Sequence, residues 1–111
     1  MKSDKVYLQH ILDMISRIES ATASGKSAFL ASQLHQDAVL RNLHTMTETT
    51  QRLSASLKDA CPEIDWMRLA AFRNVLVHDY LGIDIQLVWT VISQDIPEFK
   101  RQVSMIQQSI D

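Results

Sequence analysis

The sequence predicts an all-α fold, and three observations carry that expectation. Apolar residues recur three and four positions apart along most of the chain, the spacing of one helix face. Two glycines and two prolines in 111 residues leave little material for hairpins and tight β-turns. Hydrophobic residues make up 46% of the total, enough for one core in a chain that buries about two thirds of its unfolded surface. The expectation is a single helical domain over 1–111, an up-down bundle of four main helices with a short extra helical segment.

The first helix is predicted from about residue 4 to about residue 23. Asp4 is placed to cap it, and Tyr7, Leu8, Ile11, Leu12, Ile15 and Ile18 keep helical spacing up to Gly25. His10 falls off that stripe and reads as a solvated face residue. Ser27–Ala31 reads as a short helical turn leading into a second long helix. Leu34, Ala38, Leu43, Met46 and Leu53 form the expected core stripe of that helix, which ends near Leu57. Thr45, Thr47, Thr49 and Thr50 lower its intrinsic propensity, so packing has to hold this half. Arg41 and Glu48 stand one heptad apart on roughly one face, either as two solvated charges or as a charged lining.

Cys61-Pro62-Glu63-Ile64-Asp65 interrupts the pattern. Pro62 disfavours a helical Cys61, and Asp65 can cap a helix starting at Trp66. Leu69, Phe72 and Leu76 form the core stripe of that helix, with Trp66 near the same side. At about 100° per residue, Ala71, Asn74, Val75 and His78 gather on nearly the opposite face. Such a face is neither an ordinary solvent face nor a core face, and it reads as an interface centred on polar groups. Arg73 lies about 140° around an ideal helix from His78, so register alone does not join them. A long Arg side chain, an unwound helix end before Gly82 or a second subunit has to do so. Gly82 can end this helix as a cap residue. Asp84 can cap the next, which carries Ile85, Val88, Trp89 and Ile92. Pro97 begins or kinks a last segment with Phe99, Val103, Ile106 and Ile110.

Composition narrows the function. A net charge of -2 argues against a general nucleic-acid binder with a basic footprint, so any RNA contact has to be local or brief. Cys61 is the single cysteine, which excludes an intrachain disulfide and a Cys-based zinc cluster. No histidine lies nearby in sequence to activate it. His35 and His44 are read as lacking a second His or carboxylate at an i+4 spacing that would make a convincing metal site, and no metal or cofactor is expected. No apolar run is long enough for a membrane span, and Met-Lys-Ser-Asp-Lys lacks an apolar signal core. The expectation is a cytoplasmic protein with no membrane partner.

The densest chemistry lies at Phe72–Tyr80, where Arg73, Asn74, His78, Asp79 and Tyr80 crowd together. An arginine forks onto a phosphate, and a histidine moves protons near neutral pH. The plainer reading is a helix end with surface polar residues, the histidine favoured by the helix dipole. Arg73-Asn74, three aliphatics and then His78-Asp79-Tyr80 resemble the Arg-x4-6-His signature of HEPN domains. The tyrosine two positions after the histidine narrows the resemblance to the HepT-like branch. Asp4, Tyr7, Leu8, Ile11 and Leu12, then Ala38-Val39-x-Arg41-Asn42-Leu43, Ile64-Asp65-Trp66 and Val88-Trp89 are similar to that family's landmarks, in order. The family's common Gly-Glu-Ala stands here as Thr47-Glu48-Thr49.

The resemblance implies a HEPN-type bundle acting as a homodimeric, metal-independent endoribonuclease toxin. It also implies a partner, an MNT-type nucleotidyltransferase antitoxin. RNA carries its own nucleophile, the 2′-hydroxyl, so cleavage needs proton transfer and charge stabilisation. On this reading His78 is general base or acid, and Arg73 holds the scissile phosphate. Asn74 orients the His78 ring or donates to the phosphate, Asp79 tunes or caps, and Arg41 and Glu48 line the site. Tyr80 receives AMP from the antitoxin. Two other classes fit the composition: a non-catalytic HEPN subunit that helps a nucleotidyltransferase bind its substrate, and a purely structural helical dimer.

Overall fold

Polar caps decide where most of the helices begin. In the computed structural model, which describes residues 3–110, α1 runs Asp4–Ala21, α2 Lys26–Ala31, α3 Gln33–Thr50, α4 Ala55–Ala60 and α5 Trp66–His78. A 3-10 turn at Tyr80–Gly82 leads to α6, Ile85–Thr90, which continues through a π-helical turn, Val91–Asp95, into α7, Ile96–Ser109. No strand occurs among the described residues. The side chains of Ser32, Ser54, Asp65 and Asp84 accept from the free amides at the starts of α3, α4, α5 and α6. Each such cap is worth about 1 kcal/mol.

The core lies where α1 packs on α3 and α7, and α3 packs on α5. Leu8, Ile11, Ile15 and Ile18 of α1 are fully buried, against Val39, Leu43 and Met46 of α3 and Phe99 and Val103 of α7. Burying each such side chain contributes roughly 1.5–3 kcal/mol. Thr47, where the resemblance leads one to expect glycine, is also fully buried. Its hydroxyl donates back to the carbonyls of Leu43 and His44 at 2.9 and 3.0 Å, so a β-branched polar residue sits in the core with its hydrogen bonding satisfied. Leu76 is the buried anchor of α5, with Leu69 and Phe72 half-buried beside it.

The structure corrects several expectations. Asp4 does not cap α1. Its carboxylate instead accepts from the amide and hydroxyl of Ser54 at 2.8 and 2.6 Å. That tie holds a turn at which α3 stops, so the second long helix ends at Thr50 instead of Leu57, and α4 stands as a second short segment. On α3 the buried stripe runs through Val39, Leu40, Leu43 and Met46, while Leu34 is 78% exposed. Gly82 does not end α5, because the helix stops at His78 with Asp79 as its cap residue. Pro97, by contrast, stands where expected, in the first turn of the last segment α7, although the preceding helix runs into it without a gap. It has no amide hydrogen and its ring crowds the carbonyl one turn back; the helix answers by widening just before it.

Candidate active site

α5 carries two side chains of the motif in different directions. Arg73 is half-buried and leans onto α3, where its Nε donates to Glu48 Oε2 at 2.7 Å. Its Nη1 donates to Asn74 Oδ1 at 3.2 Å. A guanidinium has five N–H donors, so its outer edge keeps donors for a phosphate. The hydrogen bond from Arg73 holds the Glu48 carboxyl below the ordinary carboxylate range. The charges of Arg73, His44 and Arg52 work in the same direction, against partial burial.

His78, the last residue of α5, is exposed. No side-chain hydrogen bond joins it to Arg73, and α5 stays helical through both residues, so an unwound end does not bring them together. Asp79 turns its carboxylate over Gly82: a Cβ there would come within 2.5 Å of Asp79 Oδ1 and displace it. Tyr80 lies on the 3-10 turn and is 43% exposed. Its hydroxyl donates to Asp37 Oδ1 of α3 across a long 3.4 Å. Partial burial, then the Asp37 charge, pushes the phenol above its ordinary value, which makes it a weaker nucleophile at neutral pH.

Arg73, Asn74 and Glu48 are therefore joined by hydrogen bonds, and Tyr80 touches α3 by a separate contact. Arg41 is exposed, and its side chain takes no part in these bonds. Two neighbours were missed in the sequence, and for His44 the expectation of no carboxylate four positions on is corrected by Glu48. Asp37 carries no local signal for its contact with a residue 43 positions away. His44, whose Nε2 stands 4.0 Å from Glu48 Oε2, did carry one: the carboxylate lies four positions on, the spacing of neighbours on a helix face. Among the described residues no group of three His, Cys, Asp or Glu side chains is placed to hold a metal ion. Partial burial pushes the Cys61 thiol up, away from the reactive thiolate.

The outer face of α5 is apolar around its polar groups. Met67, Ala71, Asn74, Val75 and His78 follow one another on this face, all exposed, Met67 at 84%. Next to it α5 and α7 enclose a groove of about 610 Å³ rimmed by Glu63, Asp65, Asp95 and Glu98. Arg68 also lines the groove and pairs with Asp95 at 3.1 Å, but the rim stays net negative, so this groove is a poor place for a phosphate backbone.

The family profile for "Ribonuclease HepT-like" matches residues 11–106, a span that contains the whole motif. The chain belongs to the HepT-like family. Among its HepT-like relatives, one of Thermococcus cleftensis, named probable ribonuclease HepT, is 32% identical over 108 residues, 96% of this chain and 98% of that protein. One of Methanocaldococcus jannaschii, whose name joins a gamma-glutamylcyclotransferase to a candidate RNase, is 33% identical over 111 residues. The HepT-like chain spans 50% of the length of that relative. A third, a candidate RNase of Caldanaerobacter subterraneus, is 28% identical over 112 residues, 97% of each chain. No solved structure matches. No described helix is long and apolar enough to cross a membrane.

Proposed function

We propose that this HepT-like chain is one domain that cleaves RNA without a metal, as a homodimer whose cleft combines Arg73 and His78. The observation that carries the reading is the state of Arg73: fixed from behind by Glu48 and from the side by Asn74, with donors left for a scissile phosphate. Arg73 and His78 point apart within one chain, and a second copy supplies what is missing. A two-fold axis beside Asn74 and His78 brings two imidazoles to one cleft and covers the exposed Ala71 and Val75. One His78 takes the proton of the 2′-hydroxyl as its oxygen attacks phosphorus. The other gives a proton to the 5′-oxygen as the P–O bond breaks, leaving a cyclic phosphate. Arg73 stabilises the extra charge of the pentacoordinate phosphorus. Asp79 shapes the end of α5, and Arg41 and Glu48 line the approach.

In this reading the protein is the toxin of a cytoplasmic pair, and its antitoxin is an MNT-type nucleotidyltransferase that transfers AMP to Tyr80. The raised, half-exposed phenol supports a modification that needs an enzyme. AMP there adds negative charge and bulk two residues from His78. The test is cleavage of labelled RNA by purified protein in EDTA, with His78→Ala prepared in parallel. Cleavage by the wild type and none by His78→Ala is expected, whereas equal cleavage by both overturns the assignment.

A further inference from the structure

Arg73 already has a counter-ion, and this creates a difficulty for an acidic protein meant to hold a polyanion. Glu48 cancels the Arg73 charge in place, so the pair offers a phosphate hydrogen bonds but little net attraction. His44 changes that balance. Its Nε2 is 4.0 Å from the same Glu48 oxygen that Arg73 Nε approaches to 2.7 Å. At 4.0 Å the contact is electrostatic rather than a hydrogen bond, so it matters when the ring carries a proton. The side chain is 47% exposed, which leaves the ring free to meet a ligand. One imidazole and one carboxylate make no metal centre, and no third ligand is near among the described residues. The charged groups facing His44 are Glu48 and, one turn back, Arg41 on its own helix, and Arg73 from α5. Arg52 acts on the far side of Glu48.

We propose that His44 is a substrate-binding residue whose protonated ring, held beside Arg73 by Glu48, contacts the RNA phosphate neighbouring the scissile one. The inference rests on the ribonuclease reading above and adds to it a second phosphate subsite on α3. An imidazole changes charge between pH 5 and 8, so RNA is held more tightly at the lower end of that range. With His44 neutral, Glu48 offsets one of the arginines. With His44 charged, the same edge gains one more positive charge without any movement of Arg73.

The experiment is fluorescence anisotropy with a short, fully 2′-O-methylated RNA of mixed sequence, which lacks the nucleophile and stays intact. Affinity is measured at about pH 5.5 and pH 8 for the wild type, His44→Gln and His44→Lys. At the lower pH, His44→Gln is expected to bind roughly threefold to tenfold more weakly, with the slope of log affinity against log salt smaller by about 0.7, the loss of one phosphate contact to a single strand. His44→Lys, with a permanent charge, should bind tightly at both pH values and lose the wild type's dependence between them. A His44→Gln profile that superposes on the wild type at both pH values overturns the proposal, whatever the cleavage assay shows. If the wild type neither binds this RNA nor cleaves an unmodified one, the ribonuclease reading falls and this inference falls with it. If it cleaves through His78 while His44→Gln is silent, only the second subsite is lost.

Discussion

Glu48 holds the Nε of Arg73 at 2.7 Å across 25 positions of sequence, tying the motif helix to α3 at the point where phosphate is expected. The pair fixes the direction of a side chain that otherwise has four rotatable bonds. Both partners keep contact with solvent, Glu48 at 37%, so its worth is in orientation and not in stability. Glu48→Gln should lower RNA cleavage about tenfold while changing unfolding free energy by less than about 1 kcal/mol. Single-turnover cleavage and urea unfolding measure the two separately. A large loss of stability would show that the pair supports the fold instead.

The pH dependence of that pair has a defined sign. Its carboxyl titrates below the ordinary value of 4.5 in the folded protein. The contribution is therefore complete above the unfolded value and disappears as pH falls through the lowered folded one. Arg73 should therefore stay anchored at pH 5. Loss of cleavage between pH 5 and pH 6 that persists in Glu48→Gln would then belong to the imidazoles and not to this carboxylate.

Arg73→Ala and His78→Ala should each abolish cleavage and leave the protein folded. His78 is exposed and Arg73 lies off the buried Leu76 stripe, so the expected stability change is within about 1 kcal/mol. Thermal melting together with the cleavage assay checks both halves of the statement.

Val75→Glu tests the second copy. Val75 is 46% exposed on the face shared with Ala71, Asn74 and His78, so a charge there costs the monomer little. Buried in a two-fold interface, two such charges would face one another. Sedimentation should show a wild-type dimer, a folded Val75→Glu monomer, and loss of cleavage with the dimer.

On the proposed reading, Tyr80→Phe should cleave RNA yet escape transfer of AMP. The phenol is held above its ordinary value by partial burial and by Asp37, so it is not expected to react unaided. Mass spectrometry after co-expression with an MNT-type nucleotidyltransferase should find AMP on the wild type and none on Tyr80→Phe. An unmodified Tyr80 in a fully neutralised complex would point to inhibition by binding alone.

The motif helix was legible because its evidence is local. Asp65 caps it as expected, and rotating residues by helical register put Leu76 inside and Ala71, Asn74, Val75 and His78 outside. What eluded sequence reading depends on distant parts of the chain. Nothing near Asp4 announces a bond to Ser54, 50 positions away, and without it Thr50–Leu57 reads as more helix. The register of α3 was ambiguous because Ala38, Val39 and Leu40 offer adjacent apolar stripes, and packing on α1 chose the one that leaves Leu34 in solvent. Tyr80 was placed at a helix end, but the early stop at His78 moves it onto the following turn.

The wide turn at Val91–Asp95 amounts to a phase correction. From Val88 to Ile96 an ideal helix would rotate about 80° past two full turns, and Phe99, Val103 and Ile106 would inherit that offset. The extra residue held by the π turn returns most of it, which is why Val88, Ile92 and Ile96 all remain buried on one line with the stripe of α7. The chain thus counts its residues at this place. Removing one of them, Ser93 for instance, would let the turn close into ordinary α-helix: seven ideal steps rotate by about 700°, close to what the wide turn now gives eight, so α7 would keep Phe99 and Ile106 facing the core. A single deletion here should therefore be far less damaging than the same deletion inside α7, where nothing would take up the rotation of about 100°.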